Sequence, residues 1–299
     1  MAMSDNLRGV IYMNVAMLAF TVNDSFMKAV TQDLPLFQAI ALRGVLTTVA
    51  LIGIAVGLGG LRLWPARRDR GIIAIRTLAE IGGTVLFLAA LVHMQLANLS
   101  AIMQSLPLAV TLAAAVFFGD KVGWRRMLAI LIGFAGVLII VRPGADVFDI
   151  WSVMGLGSVA CVVVRDLATR ELSHEVPSTT VAVWAALCVT ALGLAVSLPV
   201  GWEPVTMPQA GKILAASGAL IVGYMFVVMV MREGDIGLIA PFRYTALIWA
   251  ILLGWVMFGT LPDGWTLIGA AIVIATGLFT LWRERQVRRA IAAQTSPAA

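Results

Sequence analysis

Residues 23–35 read Asn23-Asp24-Ser25-Phe26-Met27-Lys28-Ala29-Val30-Thr31-Gln32-Asp33-Leu34-Pro35, and they close the first apolar segment of the chain. The charged skeleton of this stretch returns 142 residues later. Asp166, Arg170 and Pro177 close the sixth apolar segment with the same spacing. Phe118-Gly119 corresponds in the same way to Phe258-Gly259, and Trp124, Ala129 and Gly136 correspond to Trp265, Ala270 and Gly277. The chain is therefore read as two copies of one unit, each with five apolar segments. An odd number of membrane crossings per copy makes the second copy enter upside down relative to the first.

Composition supports a lipid setting. The 299 residues are 61% hydrophobic and 12% charged, with a mean hydropathy of +0.96. Soluble domains hold about 45–50% apolar and about 25% charged residues. A soluble core cannot hide so much apolar surface, so lipid has to be the solvent. Ten segments reach the roughly 17–25 residues of a spanning helix: 8–28, 36–58, 71–92, 97–118, 125–141, 150–169, 179–199, 209–231, 236–258 and 264–282. Pro35, Gly59-Gly60, Trp64-Pro65, Gly119-Asp120, Arg142-Pro143-Gly144, Pro177 and Pro262-Asp263-Gly264 punctuate the boundaries. The expected fold is an all-α membrane protein, with ten transmembrane helices in two inverted five-helix repeats. The repeats are placed at 6–143 and 150–283, with a cytoplasmic tail at 284–299. The first segment carries Asn14, Asn23 and Asp24 and no A-x-A cleavage site, so it is read as a retained span.

Orientation follows from Lys and Arg. With the N-terminus in the cytoplasm, only Lys28, Arg142 and Lys212 of the 21 fall outside. Arg43, Arg76, Arg165 and Arg243 lie within spans, and the other fourteen fall inside. This bias predicts a multi-pass protein of the inner membrane with both termini cytoplasmic. Trp64, Trp124, Trp151, Trp202, Trp265 and Trp282 sit at span ends, as an aromatic belt requires.

Several function classes drop out. The net charge of +5 comes from short loops that form no continuous basic face, so no nucleic-acid partner is expected. Cys161 and Cys188 lie in apolar segments without a CxxC, and His93 and His174 have no metal-ligand spacing. No metal or cofactor is expected. There is no HExxH, GxSxG or P-loop, so neither an embedded enzyme nor an intrinsic ATPase is supported.

The motifs quoted above are joined by Leu42-Arg43-Gly44, by Phe117-Phe118-Gly119-Asp120 with Gly133 and Gly136-Val137, and by Phe258-Gly259 with Pro262-Asp263 and Leu267-Ile268-Gly269-Ala270. On these the chain resembles the EamA-type members of the drug/metabolite transporter superfamily over about residues 6–283. The opening half is most similar to bacterial riboflavin transporters and the related S-adenosylmethionine carriers. Such members often carry Glu after the Phe-Gly pair. Here those positions hold Asp120 and Thr260, so the second copy has lost the charge. The resemblance implies a secondary transporter of a small polar metabolite, working by alternating access and driven by protons or another gradient. Riboflavin leads the substrate candidates, with export or exchange of amino acids or S-adenosylmethionine as the alternative. A monomer or weak homodimer in the lipid bilayer is expected.

Ionisable groups inside a span cost about 2.5–3.5 kcal/mol each on insertion scales, so each needs a reason. Glu80 is the deepest carboxylate, with Arg76 one helical turn before it. The two are expected either to serve substrate and proton or to neutralise each other. Gln104 and Ser100 share a helical face with Pro107, and Gln104 corresponds to Tyr244 at an offset of 140. Arg243, Tyr244 and Tyr224 complete the candidates for substrate binding or coupling, with Phe20, Phe87 and Trp249 as further aromatics that could stack on a flat ring. Asp24–Lys28 and Asp166–Arg170 are expected as i,i+4 ion pairs acting as gates or scaffold, and Arg43 as a partner for Asp24. Small-residue pairs, Gly53 with Gly57 or Ala129 with Gly133, are expected to permit close helix contact.

Overall fold

The computed structural model describes residues 5–57, 67–120, 122–143, 149–173, 176–230 and 236–295, apart from the side chains of 178, 236, 237 and 288–295. Gly59-Gly60, Trp64-Pro65, Gly144 and His174 lie outside the described residues. The helices are α1 (Asp5–Val30), α2 (Leu36–Gly57), α3 (Arg67–His93), α4 (Leu96–Met103), α5 (Leu106–Phe118), α6 (Trp124–Val141), α7 (Ile150–Arg170), α8 (Ser178–Ser197), α9 (Met207–Val230), α10 (Ile236–Ile239), α11 (Thr245–Phe258) and α12 (Gly264–Thr295). No strand occurs among the described residues. Among the described residues, ten stretches are long and apolar enough to cross a membrane. The last helix runs on to Thr295, so the expected tail at 284–299 begins as an extension of the tenth span.

Two expected spans are interrupted. The fourth consists of α4 and α5, joined through Gln104 and Ser105, with Pro107 in the first turn of α5. The ninth consists of α10, a 3-10 turn over Ala240–Tyr244 that holds Pro241, and α11. Proline lacks the N–H that a continuous helix needs, and its ring displaces the preceding turn. Such a break is tolerated at membrane depth only where protein or water satisfies the freed carbonyls. Here the breaks meet, and Gln104 Nε2 donates to the carbonyl of Tyr244 at 3.4 Å.

The two halves stop their corresponding helices alike. α5 ends on Gly119 at φ 69° and α11 on Gly259 at φ 65°, a left-handed conformation that glycine adopts without the Cβ penalty. After these glycines, Asp120 N donates to Ala114 O and Thr260 N donates to Gly254 O. Helix pairing follows the same correspondence. The most extensive contacts are α1 with α9, α3 with α7, α2 with α8, and α6 with α12. Exchanging each span with the one five places away maps this set of pairs onto itself.

The α6–α12 pair is held along its length. A Cβ on Gly136 would stand 2.9 Å from the Gly269 carbonyl oxygen, and one on Gly269 would stand 2.6 Å from that of Gly136. The backbones touch, as small residues permit in lipid. Arg142 pairs with Asp263 at one end of this couple, and Arg126 with Glu284 at the other, at 3.1 Å. In α2 the contact glycine is Gly44, against Thr190 of α8, while the expected Gly53 and Gly57 face open space. Of the other expected pair, a Cβ on Gly133 would stand 2.7 Å from Thr276 Oγ1 of α12, and Ala129 is buried.

Candidate functional site

Five spans converge on a set of ionic side chains. Glu80 is the midpoint of α3, thirteen residues from either end, or roughly 20 Å at 1.5 Å per residue. Each of its oxygens takes one arginine: Arg76 Nη2 at 3.6 Å from Oε2 and Arg165 Nη1 at 3.4 Å from Oε1. Arg76 also donates to Thr169 Oγ1 at 3.0 Å, tying α3 to α7. Arg165 donates two further bonds to Asp166 Oδ1, at 3.0 and 2.9 Å. Toward the Lys28 end, Arg43 of α2 donates to Asn23 Oδ1 at 3.3 Å, and Asn23 Nδ2 donates to Asp24 Oδ1 at 2.9 Å. The charge of Arg43 acts on Asp24, Tyr224 and Glu80, so it links the two ends of the set. Tyr224 of α9 meets Phe20 edge-on at 5.6 Å between ring centres and remains 38% exposed. Asp24, Glu80 and Asp166 balance Arg43, Arg76 and Arg165 in formal charge. Two donors are left over: Arg43 Nε and Arg76 Nη1 are buried without a partner.

The expected i,i+4 pairs are not made. Lys28 turns away from Asp24 and donates to the carbonyls of Leu91, Val92 and Met94, at 2.7, 3.3 and 2.7 Å, where α3 ends. A helix C-terminus leaves carbonyls unpaired and attracts cations. Three such acceptors outcompete one carboxylate that is already hydrogen-bonded. Lys28 also lies 5.7 Å above the ring of Phe258. Arg170 turns away from Asp166 and forms a forked pair with Asp120, at 2.7 and 3.1 Å, while standing 4.7 Å above the ring of Phe118. The two cation–aromatic contacts are reciprocal. The cation of the first half sits on the phenylalanine of the second, and the cation of the second on that of the first. The Asp120 carboxyl is held below its ordinary range by the hydrogen bonds from Arg170.

The residues expected to serve one site therefore separate. Glu80, Arg76 and Tyr224 come together, and Asp24, Arg43 and Asp166 join them. Gln104 and Tyr244 belong to the joint between the broken spans. There the Tyr244 hydroxyl is buried, lacks a partner and abuts Gly277, and the charge acting on it is that of Arg243. Ser100 is half-buried in α4, and Arg243 is exposed. Arg165, whose place within a span called for an anionic partner or substrate, is part of the ionic set through Glu80 and Asp166. Asn23 and Thr169 join it without having been singled out as binding residues; adjacency to Asp24 was the signal for Asn23, and Thr169 had none.

A family model described as the EamA-like transporter family matches residues 7–142 and again residues 149–282. The chain belongs to the EamA-like transporter family. It is accordingly a multi-pass membrane transporter and not an enzyme. Among similar proteins of this kind is a riboflavin transporter of Vibrio cholerae, 28% identical over 95% of this chain and 96% of that protein. A pseudopaline exporter of Pseudomonas aeruginosa is 24% identical over 89% and 93%. An S-adenosylmethionine uptake transporter of Rickettsia conorii is 24% identical over 95% and 96%. A crystal structure with 19% identity superposes at a TM-score of 0.64 over 91% of this chain and 96% of the other, so the two share a fold.

Proposed function

We propose that this EamA-like chain is a gradient-driven secondary transporter of the inner membrane, and that a small polar metabolite passes along its ionic path. The two repeats, taken as inverted, rock about the Glu80 cluster, and the contacts at Lys28 and Arg170 close opposite faces in turn. The Lys and Arg bias assigns the Lys28 face to the outside and both termini to the cytoplasm. The observation that carries the reading is the charge-balanced cluster at mid-membrane, with two buried arginine donors to spare. A soluble carrier site needs few charges. An intramembrane set of six is costly and is retained where substrate or ions pass.

Riboflavin is the leading substrate. Its flat ring suits the exposed face of Tyr224 beside Phe20, and its carbonyl groups suit the free donors on Arg43 and Arg76. The Vibrio cholerae relative supports this choice. A second reading is a zwitterionic, amino-acid-derived solute such as S-adenosylmethionine, favoured by a cluster that offers both signs of charge and by the Rickettsia relative.

Counterflow tests the reading. Proteoliposomes loaded with unlabelled riboflavin are expected to accumulate labelled riboflavin saturably, and unlabelled S-adenosylmethionine inside serves as the competing probe. Glu80→Gln is expected to lower exchange at least about tenfold with the protein still folded, because it leaves the charges of Arg76 and Arg165 uncompensated where substrate passes. Linear, unsaturable flux of both solutes would replace the carrier by a channel.

A further inference from the structure

The three carboxylates of the cluster are not equivalent. Glu80 has an arginine on each oxygen, and Asp166 accepts two N–H groups of Arg165. Asp24 has no cation within 4 Å among the described residues, and its one described bond is the neutral Asn23 amide on Oδ1. Asn23 stands between it and Arg43, accepting from the guanidinium and donating to the carboxylate. Arg43 itself is only 8% exposed and keeps a buried Nε without a partner. The cluster thus contains one carboxylate with a free oxygen, coupled through an amide to one arginine with a free donor.

We propose that Asp24 is the proton-binding site that couples transport, and that Glu80 and Asp166 are fixed counter-charges for the arginines; this rests on the transporter reading above. A hydronium ion breaks one of its O–H bonds, gives the proton to Oδ2 of Asp24 and leaves as water, and the carboxylate becomes a neutral carboxylic acid. The formal charge of the cluster rises from zero to one positive. Arg43 loses its counter-charge, and its buried guanidinium binds a substrate carbonyl or carboxylate oxygen in its place. Proton and substrate therefore move together, and deprotonation on the far side returns Arg43 to Asp24 and releases the substrate.

The groups around Asp24 leave this role to it. Lys28 on its own helix is committed to the α3 carbonyls. α2 presents Arg43, and α3 presents Arg76 and Glu80, which bind each other. α9 presents Tyr224, whose hydroxyl lies in the field of Glu80, Arg165, Arg43 and Arg76. The turn before α11 carries the exposed Arg243, and α10 and α11 hold no ionisable residue.

Infrared difference spectroscopy of the full chain in micelles reads protonated carboxyls directly and needs no substrate. As the solution is acidified from neutral, a carbonyl band of a carboxylic acid shielded from water is expected in the wild type. It is expected to vanish in Asp24→Asn and to persist in Glu80→Gln and Asp166→Asn. A band that survives Asp24→Asn, or that Glu80→Gln removes instead, overturns the proposal. If Asp24→Asn fails to fold, Asp24→Glu decides: the band is expected to move in frequency and midpoint, and an unmoved band counts against Asp24. In proteoliposomes, riboflavin uptake by Asp24→Asn is expected to lose its dependence on a pH gradient; uptake that still follows the gradient contradicts the proposal. A wild type that transports neither riboflavin nor S-adenosylmethionine removes the substrate reading, while the infrared result still decides Asp24.

Discussion

The two ends of the ionic path carry the same device in different chemistry. At one end Lys28 lies over Phe258 and is buried, at 8% exposure, with three backbone acceptors. At the other, Arg170 lies over Phe118 and pairs with Asp120, with both side chains about half exposed. The position equivalent to Asp120 is Thr260, which spends its hydroxyl on the Gly254 carbonyl of its own half. Having no acid to meet, Lys28 sinks into the end of α3. A buried cation with charge-assisted bonds is expensive to withdraw, whereas an exposed ion pair is worth about 0–1 kcal/mol. The difference teaches that the two halves hold corresponding cations in unequal settings; on the proposed reading of these contacts as latches, the one at Arg170 is the easier to open.

The comparison breaks most visibly at Lys28. Lys28→Met leaves the α3 carbonyls unpaired at a cost of about 2–3 kcal/mol, and thermal unfolding in detergent is expected to drop well below that of Arg170→Met. Equal drops would erase the asymmetry. Next in size is the scaffold that both latches share. Gly136→Val forces a side chain against the Gly269 carbonyl and is expected to cost about 1–3 kcal/mol by the same assay. A neutral outcome would mean that α6 and α12 slide freely.

Restoring the lost acid sharpens the comparison. Thr260→Asp offers the Lys28 end the counter-ion that Arg170 has, and exchange is expected to slow by roughly fivefold or less, about 1 kcal/mol, because the buried Lys28 already holds three carbonyl acceptors. The smallest effect is at Asp263, which clasps α12 to α6 on the Lys28 face. Partial burial pushes this carboxyl up, but hydrogen bonds from Arg142 and Thr266 prevail and hold it at about 2, against 3.8 for the free group. A depressed value means that the stabilisation is fully present above pH 3.8 and is lost as the pH falls through about 2. Because the side chain is 48% exposed, the contribution is at most about 1 kcal/mol. Asp263→Asn is expected to flatten the acid limb of a stability–pH curve and to leave neutral pH nearly unchanged.

Much of this was legible in the sequence for physical reasons. Span count follows from hydropathy and proline punctuation, because lipid admits only closed helices here. The repeat was legible because Asp24, Lys28 and Pro35 stand out against an apolar background. Partner choice was not legible. Helical spacing put Lys28 opposite Asp24, but its acceptors are backbone carbonyls 63 to 66 residues away, which no side-chain pattern announces. Helical spacing likewise sets Arg170 one turn from Asp166, yet Asp166 is bound by its neighbour Arg165, which reaches forward one residue while Glu80 of α3 holds its other side. The breaks in the fourth and ninth spans were visible as Pro107 and Pro241. Their meeting was visible only as the offset that relates Gln104 to Tyr244.

On the transporter reading proposed above, the Lys28 and Arg170 contacts are the two ends of one rocking equilibrium. Pairs of spin labels read it directly, one pair at Gln32 and Leu261 on the Lys28 face and one at Gly123 and Glu171 on the Arg170 face, with Cys161 and Cys188 replaced by serine. Lys28→Met is expected to lengthen the first distance and shorten the second, and Arg170→Met is expected to do the reverse. If each substitution changes only the face that carries it, the faces open independently and the account fails.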